Sequence, residues 1–150
     1  METVTLSIPR VLADKAEKEG LDLESLVLEL LIEKLHLDPG DVSKIHADRA
    51  EKFFKEGKKV IDEDPVQASE KLYKAAEECV KALTYHFNFK DIISEVKGRG
   101  RWTVTSLEKA VEKISDNIGA WFEEAWDRAN YLHVWGFHEA KLDAGAVRRR

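Results

Sequence analysis

Residues 128–141, RANYLHVWGFHEAK, gather the side chains best suited to chemistry. A histidine titrates near neutrality and serves as a general base or acid without special tuning. An arginine presents a planar fork of donors that can hold a phosphate and stabilise charge developing on it. Arg128 and His133 are separated by four residues, with Asn130 as a further polar candidate between them. Five positions along an ideal helix turn the direction by about 140°, so one chain does not focus both groups on one point. A cleft shared by two copies would collect both pairs. His133 also sits at the edge of a stripe through Ile118, Trp121/Phe122, Ala125, Ala129 and Leu132. A boundary histidine satisfied by a neighbour is therefore the alternative to catalysis. His133 and His138 are five apart rather than the four that puts two ligands on one helical face, and no metal or other cofactor is expected. GFHE reads instead as a capping turn, with Phe137 plugging the core.

Two basic clusters stand out, KGRGR at 97–101 and RRR at 148–150. The first is read as a two-glycine loop carrying Lys97, Arg99 and Arg101 beside Trp102, a candidate nucleic-acid or phosphate contact through backbone N–H groups. It lacks the spacing of a P-loop or dinucleotide fingerprint. The net charge of −5 excludes a whole-surface nucleic-acid footprint. Trp121, Trp126 and Trp135 fall at helical spacing and read as core or interface residues rather than base-stacking platforms.

These groups need elements to hold them. TVTLSI, residues 3–8, alternates polar and apolar as a short strand does. Pro9 suits a first helical turn, Gly20 a stop, and Asp22 the cap of a second helix with a leucine stripe. HLDPGD at 36–41 marks a boundary. A long amphipathic helix follows it, then DEDP, where Asp64, Pro65 and Gln67 form a helix start. The next helix carries Leu72, Ala76, Cys79, Val80, Leu83 and Phe87 on one face, with Cys79 as a small core filler. Thr105 and Glu108 start another helix, and the last long one runs from about Ala120 to Trp135, where Gly136 ends or kinks it. The fold class is all-α: residues 1–37 form a strand-helix-helix arm, and residues 38–150 an up-down antiparallel bundle that should fold without it.

At 150 residues, with 43% hydrophobic and 35% charged side chains, the chain suits one globular domain needing no disulfide or metal. A single cysteine, no long apolar run and no secretory start point to the cytoplasm, with no membrane partner. One Gln, three Asn and abundant Lys and Glu match the composition of thermophilic proteins.

At DPVQASEKLYKAAEECVKAL (64–83) and YLHVWGFHEAKL (131–142) the sequence resembles the PaREP family of archaeal proteins. The resemblance implies a HEPN-like bundle that forms homodimers. HEPN proteins include metal-independent ribonucleases with Arg, four to six residues, then His on a late helix, a pattern that Arg128 and His133 match. Others are inactive partners of nucleotidyltransferases or bind nucleotide. Ala129 stands where a polar residue often follows the Arg, and Asn130 comes one place later. Two functions are thus implied: a dimeric module binding RNA, nucleotide or a partner protein, and a ribonuclease in which His133 takes the 2′-hydroxyl proton while Arg128 holds the phosphate. Residues 4–35 resemble a ribbon-helix-helix unit, which implies strand pairing between two copies. Thr3, Thr5 and Ser7 would then face DNA with only Arg10 near to neutralise phosphate.

Overall fold

The computed structural model describes residues 2–150. Among them every regular element is helical: α1 (Arg10–Lys18), α2 (Leu23–Lys34), α3 (Pro39–Val60), α4 (Pro65–His86), α5 (Lys90–Arg99), α6 (Val104–Ile118), α7 (Trp121–Tyr131), a π-helical segment (Leu132–His138) and α8 (Ala144–Arg148).

Local chemistry places the two longest helices. Asp38 and Asp64 each accept a backbone N–H three residues on, from Asp41 at 2.9 Å and Gln67 at 3.1 Å. Each is followed by a proline whose fixed φ suits the first turn. The short link between α3 and α4 folds them back as antiparallel neighbours. Gly57 lets them approach closely, since a methyl there would lie 2.9 Å from Leu72 Cγ. α4 is the hub. Tyr73 and Val80 enter the main core with α5, α6 and α7; Tyr85 packs with Ile32, Val42 and Ile93; and Ala68 packs with Ile61, Leu132 and Val147.

Four expectations need correction. Residues 3–8 form no strand, and Val4 and Leu6 are 96% and 66% exposed. Period-two patterning supplies a face but no partner, and without a second strand the backbone groups have nothing to ladder with. The DNA-facing role of Thr3, Thr5 and Ser7 depended on that paired strand. KGRGR is not a loop: Ile92, Ile93 and Val96 anchor the segment to the core, α5 runs through Gly98, and only Gly100, at φ 73°, ends it. The start of α6 is two residues early, with Thr103 and Ser106 capping each other reciprocally.

The last correction concerns Gly136, which neither ends nor kinks a helix. The chain runs on from α7 into the π-helical segment with Gly136 buried inside it. A Cβ on Gly136 would stand 2.2 Å from Ser69 Oγ and 2.6 Å from Ser69 Cβ, so this segment touches α4 almost backbone to side chain. Gly136→Ala should therefore destabilise the fold by about 1–3 kcal/mol, the usual penalty of overpacking. Gly98→Ala, in a helix with nothing within 4 Å, should instead gain up to about 1 kcal/mol. Urea unfolding of both variants checks this, and an unperturbed Gly136→Ala would show that the contact with α4 is loose.

Candidate functional site

The π-helical segment decides where the histidines go. A wider turn brings residues five apart onto one side, and His133 Nε2 lies 3.1 Å from His138 Nε2. On its other edge His133 Nδ1 is 3.0 Å from Glu70 Oε2 on α4. Its ring stacks on Tyr73 with centroids 4.0 Å apart. With Nδ1–H donating to the carboxylate, Nε2 accepts from the exposed His138. The result is an oriented Glu70–His133–His138 relay. Glu70 and His138 occupy opposite nitrogens of one ring, so the three do not converge on a cation, and no metal-holding group of side chains occurs among the described residues. Phe137 is half-buried and stacks loosely against His133 rather than plugging the core.

No hydrogen bond or ion pair joins Arg128, Asn130 and His133 among the described residues: His133 is half-buried against α4, Arg128 is exposed in the last turn of α7, and Asn130 is half-buried. Arg128 forms no ion pair among the described residues. The basic run is elsewhere. Lys97 and Arg99 sit in the last turn of α5, where Arg99 pairs with Glu95 at 3.5 Å, and Arg101 lines a cavity against the arm.

Pattern reading missed the densest charge cluster, which lies where α3, α4 and α2 meet. His46 and Glu78 are fully buried and joined through His46 Nδ1 and Glu78 Oε2 at 2.5 Å. Glu78 Oε1 lies 3.4 Å from Arg49 Nε and 3.6 Å from Lys81 Nζ. Arg49 also donates to Glu24 of α2 at 2.7 Å, and His46 Nε2 stands 3.8 Å from Glu29. Burial alone would raise the Glu78 carboxyl, but the His46 hydrogen bond and the charges of Lys81, His46 and Arg49 outweigh it, holding its pKa at about 2. The signal was present. His46 falls between Val42 and Ala50 on α3, and Glu78 between Ala75 and Ala82 on α4, charged residues inside apolar stripes.

A third feature is a groove of about 990 Å³ along α4. Its floor is Leu72, Ala75, Ala76, Cys79, Ala82 and Leu83; α3 walls one side, Ala125, Ala129 and Leu132 the other, and α8 closes one end. Leu72, Ala76, Cys79 and Leu83 belong to the stripe that the sequence marks as core, yet Leu72, Ala76 and Leu83 are only half-buried and Cys79 is exposed. Cys79 is exposed on this floor rather than filling the interior, and the low-polarity surroundings push its thiol pKa up. Of the three tryptophans, Trp126 is core and donates to Glu108 at 2.9 Å, while Trp121 and Trp135 are exposed.

An all-helical bundle with a late-helix arginine and histidine is the class that these features define. The archaeal PaREP1/PaREP8 family profile matches residues 45–150, and the chain belongs to that family. A crystal structure of a protein from Sulfolobus solfataricus is similar to it, with 39% identity, covering 67% of this chain and 83% of that one, at a TM-score of 0.63. No curated protein matches. No helix among the described residues is long and apolar enough to cross a membrane.

Removing one member of a buried ionic cluster strands the others. Glu78→Gln should cost about 3–5 kcal/mol at neutral pH, because Arg49 and Lys81 lose their counter-charge and His46 loses its carboxylate partner. The sign with pH follows from the depressed pKa. Glu78 contributes stability above its ordinary value of 4.5, and that contribution is lost as pH falls toward about 2. Denaturant unfolding at several pH values should show the loss in the natural chain and a weaker slope in Glu78→Gln. Equal slopes would contradict an ionised Glu78.

Proposed function

We propose that the protein is a HEPN-like helical module that works as a homodimer, non-catalytic in itself, with the apolar groove along α4 as its self-association surface. One observation carries the reading: a helical stripe with the spacing of a core face floors a groove in which Cys79 is exposed and Leu72, Ala76 and Leu83 are only half-buried. From Leu72 to Leu83 the floor runs about 16 Å, enough to seat three turns of helix. Small side chains on the floor and on α7 allow close backbone approach. The groove edges carry both signs, Glu51 on α3 against Arg148 and Arg150 at the closed end. A two-fold pairing needs such a self-complementary patch. The second copy is thus the occupant that the groove fits.

Light scattering on the eluting protein should report a dimer at micromolar concentration. Ala125→Arg, at an exposed wall position, should convert it to a monomer with unchanged helicity. A natural chain that is monomeric at every concentration would contradict the proposal.

The second reading is the metal-independent ribonuclease, and the oriented His133 favours it. A carboxylate fixing one imidazole nitrogen while the other faces a proton relay is how a general base is held. Pairing of two α7 helices would bring Arg128 of one copy toward His133 of the other, relieving their divergence. Non-catalytic binding predicts that single-stranded RNA survives incubation with the protein in the presence of chelator. Cleavage leaving 2′,3′-cyclic ends, and falling about 10²-fold or more in His133→Ala, would establish the ribonuclease instead.

A further inference from the structure

A smaller cavity of about 180 Å³ opens between the arm and the bundle. That is the liquid volume of roughly six waters, the size of a small metabolite rather than a nucleotide. Its lining is of mixed sign. Asp22 and Glu29 of the arm and Glu77 of α4 bring carboxylates, while Lys81 of α4 and Arg101 of the α5–α6 link bring cations. Leu21, Leu26 and Trp102 add apolar surface.

Two of these groups are buried with hydrogen-bonding capacity unused. Glu29 Oε1 makes no hydrogen bond of good geometry, and the nearest imidazole nitrogen, His46 Nε2, is at 3.8 Å, beyond hydrogen-bond reach. The Glu29 side chain is nine-tenths buried. The Trp102 indole N–H is buried beside the Glu29 carboxylate without reaching full hydrogen-bond geometry. Lys81 is 3% exposed, and its one ion-pair partner, Glu78 at 3.6 Å, is shared with His46 and Arg49. Buried charges and donors are kept only where something satisfies them.

We propose that this cavity binds a free α-amino acid. The ammonium of the zwitterion would meet Glu29 and Glu77; its carboxylate would meet Lys81 and Arg101; and Leu21, Leu26 and the Trp102 ring would border a small side chain. Burial pushes the carboxyl pKa values of both Glu29 and Glu77 upward, by more than the nearby charge of Lys81 lowers them. A ligand carrying only a cation would leave Lys81 and Arg101 unanswered, and one carrying only an anion would add to three carboxylates. Because the walls come from both arm and bundle, occupancy would also tie the two together.

The test uses the full-length protein. Each standard amino acid is titrated at up to about 10 mM by calorimetry and thermal shift, beside acetate and putrescine as anion-only and cation-only probes. At least one amino acid should bind and raise Tm, with both probes weaker by about tenfold or more. Glu77→Gln and Arg101→Ala should each weaken binding about tenfold or more, with circular dichroism unchanged. Both positions are used because Lys81 belongs to the Glu78 cluster and its loss would disturb the fold. Failure of every amino acid to bind would overturn the proposal. So would putrescine binding as tightly as the best amino acid, or full affinity in both variants.

Discussion

An ionised carboxylate at the centre of a helical bundle is the constraint on which this molecule is arranged. Glu78 is 2% exposed, and stripping water from a charge costs several kcal/mol unless partners replace it. Those partners come from both long helices, His46 and Arg49 from α3 and Lys81 from α4 itself. Through Arg49 and His46 the network reaches Glu24 and Glu29, so the arm is held to the bundle by the same charges. An apolar side chain at position 78 would pack in many registers; a carboxylate that must meet an imidazole and two cations fixes one. α4 is thereby set against α3, and every other packed layer is built on α4.

Much of this was legible in the sequence, and the limits are physical. Asp38–Pro39 and Asp64–Pro65 announce helix starts because their capping chemistry is local. Tertiary partners are not local. The strand expected at residues 3–8 failed because alternation cannot supply a neighbour to pair with. The basic run looked like a loop because two glycines suggest flexibility, while the apolar residues that hold α5 together lie just before it. His133 and His138 looked too far apart for one face because that judgement assumed 3.6 residues per turn. The π-helical segment, pressed onto Ser69 at Gly136, changes the period at that one place.

The same comparison exposes what the groove is. The spacing of Leu72, Ala76, Cys79 and Leu83 is that of a core face, and the single chain covers it only in part, leaving Cys79 exposed. Periodicity reports that a face is to be covered and is silent on what covers it. Glu70, His133 and His138 form one hydrogen-bonded relay, and Arg128 is exposed outside it with no ion pair or hydrogen bond to its members among the described residues.

Cys79 gives direct access to what covers the groove, being the only cysteine and lying on the groove floor. The rate of its alkylation by iodoacetamide can be followed by mass spectrometry as protein concentration is varied. Self-association through the groove predicts that alkylation slows markedly as concentration rises through the dimer range, and that Ala125→Arg restores the fast rate at all concentrations. A rate that stays constant while light scattering reports a dimer would place the interface elsewhere and contradict the groove as the self-association surface.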